Sequence, residues 1–160
     1  MTMRERFAAV AKGVAPERAL TIGLSKEADA TIVLPNQVGS SPGSELVLVI
    51  SPLARSTGRG LDVLKTLVDD PIQGDVVLSS LEQETRSEMA SALEKGAIGV
   101  FYFLDGAYPA ISTPMQYGGH FLERDRRLLI EFADAPFNVL FVNGKHEPYI
   151  DFVSDLPAGG

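Results

Sequence analysis

Two uninterrupted apolar runs of strand length, Leu46–Ser51 (LVLVIS) and Ile98–Leu104 (IGVFYFL), constrain the fold more than any other feature of the chain. A strand with one wet face alternates apolar and polar residues. These runs do not, so each reads as a strand covered on both faces, the signature of a parallel sheet. Between them lies a helical rhythm from about Gly74 to Lys95. Val77, Leu81, Met89, Ala92 and Leu93 fall near one stripe, Glu82, Glu88 and Lys95 are free to face water, and Gly96 stands where a left-handed C-terminal cap is expected. Strand, helix and strand, with a connection long enough for a right-handed crossover, make a βαβ unit.

The flanking segments extend the pattern. Residues 3–12 place Phe7, Val10 and Ala11 on one helical stripe, closed by Gly13. Ala19–Leu24 and Ala30–Leu34 read as short strands, and residues 35–44, rich in Pro, Gly and Ser, as a loop. Ser51–Gly60 reads as a second loop and Leu61–Val68 as a short helix stopped by Asp69-Asp70-Pro71. Met115–Ala133 is expected to be one helix, with Phe121, Leu128, Leu129 and Phe132 facing inward. Asn138–Val142 follows as a strand, ended by an Asn143-Gly144 turn. Pro148–Leu156 holds one more helical turn, and Pro157–Gly160 is expected to fray. The expected fold is α/β, a single domain over residues 1–160 built of parallel βα units. A closed (β/α)8 barrel needs about 250 residues, so the expected architecture is a partial, TIM-barrel-like sheet.

Composition narrows the function classes. Apolar residues make 45% and charged residues 22% of the chain, which is globular rather than disordered. No run approaches the roughly 20 apolar residues of a membrane helix, and Met1–Phe7 lacks the apolar region of a signal peptide. With no cysteine there is no disulfide, thiolate metal site or cysteine nucleophile. A net charge of −7 disfavours nucleic acid and anionic membranes as partners. A cytoplasmic protein without cofactor or metal is the expectation.

Several segments resemble the uroporphyrinogen decarboxylase family in order and spacing. Residues 1–18 (MTMRERFAAVAKGVAPER) are similar to its opening Arg-Glu-Arg-Phe helix and Pro-Asp-Arg turn. Residues 47–71 (VLVISPLARSTGRGLDVLKTLVDDP) resemble its strand, Pro-Leu segment and acidic-Pro stop. Residues 93–105 (LEKGAIGVFYFLD) and 121–144 (FLERDRRLLIEFADAPFNVLFVNG) resemble two later strands with the helix between them. The resemblance covers about two-thirds of the chain. It implies a (β/α)8 lineage whose members are tetrapyrrole carboxy-lyases and zinc-dependent corrinoid or thiol methyltransferases, acting on anionic organic substrates.

The departures are specific. The family's arginine-rich substrate loop is absent before residue 47. Asn36 takes the place of the essential aspartate, and an amide cannot supply the negative charge that stabilises a protonated pyrrole. Near Gly58 the lyases carry a tyrosine. Phe141 and Asn143 stand where the methyltransferases carry histidine and cysteine, and neither ligates zinc.

Ligands of parallel α/β folds collect outside the C-terminal strand ends. That rule singles out Asn36, Asp105 and His146 as candidate catalytic groups, and Ser51, Arg55 and Asn143 as candidate substrate-binding groups. His146 offers a base near neutral pH, and Arg55 with Arg59 could hold a carboxylate bidentately. Asp105-Gly106 and Asn143-Gly144 are equally good turn formers. His120 is expected on an exposed helical turn. Gly58 and Gly60 match no phosphate-binding fingerprint. Three readings follow: a decarboxylase-like enzyme acting on a tetrapyrrole or other anionic organic substrate, a non-catalytic module that assembles as a homo-oligomer through unpaired sheet edges, or a corrinoid or thiol methyltransferase-like protein lacking the zinc ligands.

Overall fold

The computed structural model describes residues 1–157, and its centre is one sheet of five parallel strands in sequence order. These are β1 (Ile22–Gly23), β2 (Ala30–Val33), β3 (Glu45–Ile50), β4 (Gly99–Leu104) and β5 (Val139–Val142). The order never reverses, as it would at the switch point of a doubly wound sheet. Instead the sheet curls into a half-barrel flanked by helices. The seven helices are α1 (Met3–Ala11), α2 (Pro52–Gly58), α3 (Val63–Asp69), α4 (Pro71–Glu94), α5 (Pro114–His120), α6 (Leu122–Glu131) and α7 (Ile150–Val153). None is long and apolar enough to cross a membrane.

Register sorts the strand residues onto two faces. Val47 pairs with Val100 and Val49 with Tyr102, and this face packs against Leu78, Leu81 and Met89 of α4. The opposite, concave face carries Leu46, Leu48 and Ile50, then Phe101 and Phe103, then Val139 and Phe141. At its N-terminal end Phe7 of α1 packs with Leu46, Ile98 and Phe137 in a separate small core. Phe7 meets Phe137 edge to face at 5.0 Å between ring centroids. Close approach there requires Gly99, because a Cβ on it would lie 1.5 Å from the Phe137 carbonyl oxygen. The Asn138 side chain stitches the same place, accepting from the Val100 amide at 3.0 Å and donating to the Phe132 carbonyl at 2.9 Å.

Four local expectations differ from the structure. Ser51–Gly60 is not a loop: residues 52–58 are helix α2, because Ser51 caps it by accepting from the Ala54 amide and Pro52 takes the first helical position. Pro71 does not end a helix but begins α4, capped by Asp70. The expected helix over 115–133 is two, broken at Phe121 just after the Gly118-Gly119 pair. Of Ala19–Leu24, only Ile22 and Gly23 pair as strand. Gly96 does adopt the left-handed conformation, with φ +99°. The expected fraying over Pro157–Gly160 lies mostly outside the described residues.

Candidate functional site at the strand ends

The chain leaves three adjacent strands at their C-terminal ends through Ser51, Asp105 and Asn143, and the structure brings these together. The Asp105 amide donates to Ser51 Oγ at 3.3 Å. Asn143 Nδ2 donates to Asp105 Oδ1 at 3.2 Å, and the Gly106 amide donates to the same oxygen at 2.9 Å. Asp105 Oδ2 makes no hydrogen bond among the described residues. Around this cluster the β4–α5 loop is pinned: Ser112 Oγ donates to the Gly106 carbonyl at 2.6 Å, and the buried Tyr149 hydroxyl donates to the Ser112 carbonyl. Gly144 lies so close under the Tyr108 ring that a Cβ would stand 2.4 Å from it, and its φ is +85°.

His146 follows on the same side, with Nδ1 3.0 Å from the Gly144 carbonyl oxygen. If Nδ1 carries the proton in that contact, Nε2 is the free acceptor. Asn36 sits beyond the end of β2 in a short 3-10 turn (Pro35–Gln37), exposed, and its side chain joins none of the contacts above.

Arg55 is placed elsewhere, which corrects its reading as a strand-end anion binder. It lies in α2, 6% exposed, turned into α4. Its Nε donates to Thr85 Oγ1 at 2.7 Å, and its two terminal nitrogens donate to the Glu88 carboxylate at 3.1 and 2.5 Å. Arg59 is bound to Glu84 in the same way. Both guanidinium groups are therefore spent on joining helices. His120 is exposed at the end of α5.

Two buried polar centres escaped the sequence reading. Asp125, 2% exposed, accepts from the Tyr102 hydroxyl at 2.5 Å and the Tyr117 hydroxyl at 2.8 Å, both phenols being fully buried. Burial pushes its carboxyl up to about 7, against the two phenol hydrogen bonds that hold it down. Both phenols are raised by burial and by the neighbouring carboxylate. Glu82, expected to face water, is 5% exposed and bound by Arg86, Arg124 and Arg127. Despite the opposing cost of burial, those arginines hold its pKa below the usual carboxylate value.

A signal for both centres exists in the chain. Asp125 lies on the stripe of Phe121, Leu122, Leu128 and Leu129, and Glu82 on that of Leu78, Leu81 and Met89. A charge on an apolar stripe must find a partner inside.

Among the described residues no group of three histidine, aspartate or glutamate side chains could hold a metal ion. Phe141 stacks on Phe101 and Phe103 and Asn143 is held by Asp105. Taken together, fold and site define a parallel βα half-barrel with a hydrogen-bonded polar cluster at its central strand ends. No family model, curated protein or solved structure matches the chain.

Proposed function

We propose that the chain is a uroporphyrinogen decarboxylase-like half-barrel that binds a small anionic organic molecule at its strand ends and does not decarboxylate it unaided. The convergence of Ser51, Asp105 and Asn143 on three adjacent strand ends carries this reading, since parallel α/β proteins hold their ligands there. The free Oδ2 of Asp105 would accept an N–H or O–H of the ligand. A cation for its carboxylate would come from the exposed Lys145, which follows β5 at the same end of the sheet.

Turnover lacks its electrostatic contributors. Asn36 supplies no negative charge, Gly58 no phenol, and Arg55 is engaged by Glu88. The methyltransferase alternative has less support, because Phe141 and Asn143 offer no zinc ligand.

The direct test uses uroporphyrin, followed by its own fluorescence, and uroporphyrinogen, followed by carbon dioxide release. Binding should weaken about tenfold or more, equivalent to about 1.4 kcal/mol, in an Asp105→Ala, Asn143→Ala double variant. Carbon dioxide should not exceed the buffer rate. Binding that ignores both substitutions removes the strand-end site, and turnover above buffer makes the chain a self-contained carboxy-lyase. A second reading, a non-catalytic interaction module, draws on a different observation: the partly exposed concave face and the unpaired outer edges of β1 and β5.

A further inference from the structure

We propose that a cavity over the outer face of β2 and β3 binds a small zwitterion of the α-amino-acid class, its ammonium held by Glu45 and its carboxylate by Lys26. Glu45 opens β3 on the face that carries Val47 and Val49, where the stripe is otherwise apolar. Register pairs it with Thr31 of β2. It is 2% exposed, and a carboxylate taken out of water needs partners inside.

Three carboxylates are buried among the described residues, and they are provided for unequally. Asp125 accepts from two phenols and Glu82 from three arginines. Glu45 has one hydrogen bond, from the Gly39 amide to Oε1 at 2.9 Å. Its Oε2 has no protein partner among the described residues. Nor is that oxygen sealed in, since every fully enclosed side-chain oxygen or nitrogen there has a partner. The opening that Glu45 lines is a cavity of about 300 Å³, at the lower end of the range for small-molecule sites.

Two crossover connections wall this cavity. The β1–β2 connection brings Leu24 and Lys26, and the β2–β3 connection brings Ser40 and Ser41. Lys26 is exposed and forms no salt bridge among the described residues, not even with Glu45. A negative group buried in the wall and a positive one free at the rim suit a ligand that carries both charges close together. An amine alone leaves Lys26 unanswered, and a carboxylate alone brings like charge to Oε2. The serine hydroxyls donate or accept as either end requires, and Leu24 and Val33 give an aliphatic side chain apolar contact.

Burial ranks the two contacts. A charged hydrogen bond at Glu45, out of water, is the stronger, whereas Lys26 at the wet rim contributes as a surface ion pair. The site also stands apart from the strand-end cluster. Glu45 begins β3 and Ser51 follows its end, which separates them by about 20 Å along the strand. Ligand at one place is therefore distinguishable from ligand at the other.

The test follows backbone amide resonances of the isotope-labelled 160-residue chain during titration with L-valine, isobutylamine and isovalerate. The second probe lacks the carboxylate of L-valine and the third its ammonium. L-Valine should bind with a Kd of about 1 mM or tighter, as a ligand of that size allows. It should shift the Gly39 amide and those of residues 24–26, and leave Asp105 and Asn143 still. Isobutylamine should bind about threefold more weakly, and isovalerate not measurably. Lys26→Met should bring L-valine down to the level of isobutylamine and leave isobutylamine unchanged. Glu45→Gln keeps an acceptor for the Gly39 amide and should weaken both about tenfold or more. Because Lys26 is exposed, its variant reads the site whether or not Glu45→Gln folds. No shift at Gly39 with about 20 mM L-valine means that solvent alone meets Oε2, and overturns the proposal. So does L-valine that moves Asp105 and Asn143 instead, isobutylamine or isovalerate that binds as well as L-valine, or binding that survives Lys26→Met or a folded Glu45→Gln undiminished.

Discussion

Asp125 is a carboxyl set between two phenols in a dry core, and its two protonation states are satisfied differently. Ionised, it accepts from both Tyr102 and Tyr117. Protonated, it avoids the cost of a buried charge, but one phenol must then accept rather than donate. Burial wins, so the folded chain keeps the proton up to about pH 7 whereas an unfolded chain releases it near the ordinary aspartate value, about 3.9. The facing groups are Glu82 from α4, which reinforces the upward shift, and Arg55 from α2 and Arg126 from α6, which act through the phenols.

Between pH 4 and 7 the folded state therefore binds the extra proton. This contribution to stability is fully present below about pH 4, falls as pH rises, and is gone above about pH 7. The change amounts to about 4 kcal/mol at about 1.4 kcal/mol per pH unit. Asp125→Asn removes the titration. Denaturant titrations from pH 4.5 to 8 should show wild type losing its advantage over Asp125→Asn across this window, and a pH-independent difference would refute the buried proton. Asp125→Ala should cost several kcal/mol at any pH, since it strands two buried hydroxyls at about 1–3 kcal/mol each.

At the scale of elements, the parallel strands and α4 are legible in the sequence because continuous apolar runs and a long stripe admit few other structures. Helix α2 is not, because Gly58, Arg59 and Gly60 outweighed the Ser51-Pro52 start signal, although a cap residue followed by proline is the stronger cue. The break at Phe121 was hidden because Phe121, Leu128 and Leu129 keep one apolar stripe across it.

At the candidate site, the three residues that follow β3, β4 and β5 lie in one hydrogen-bonded cluster, Ser51, Asp105 and Asn143. Strand-end placement misplaced Arg55, because position after a strand says nothing about which way a helix turns its side chains. Gly99 shows how an element can depend on one missing atom. Gly99→Ala sets a methyl against the Phe137 carbonyl at the pairing of β4 with the start of β5. Overpacking of this kind costs about 1–3 kcal/mol, and backbone on the receiving side places the expectation at the upper end. Thermal unfolding should show a drop of several degrees, and an unchanged midpoint would mean the β5 entry moves freely.

At the scale of the molecule, two cores sit on opposite faces of one thin sheet, and they differ greatly in size. The large one lies under α4 and α6. The small one depends on α1, whose only fully buried residue is Phe7, so the helix is held chiefly by that ring against Phe137. Its capping box, Thr2 with Glu5, helps the helix form but gives it nothing to rest on. Phe7→Ala removes the anchor and leaves a cavity, a loss of about 3–5 kcal/mol if the helix stays docked. Undocking costs less than keeping that cavity, so local release is the expected response. Hydrogen exchange in the variant should show residues 3–11 losing protection while β3 and β4, sealed on their other face by α4, keep most of theirs. The concave face would then be bare along its whole length, and binding of an apolar dye should rise. If protection in β3 and β4 falls in step with α1, the two faces form one cooperative unit, and the sheet cannot hold its curl on the helical core alone.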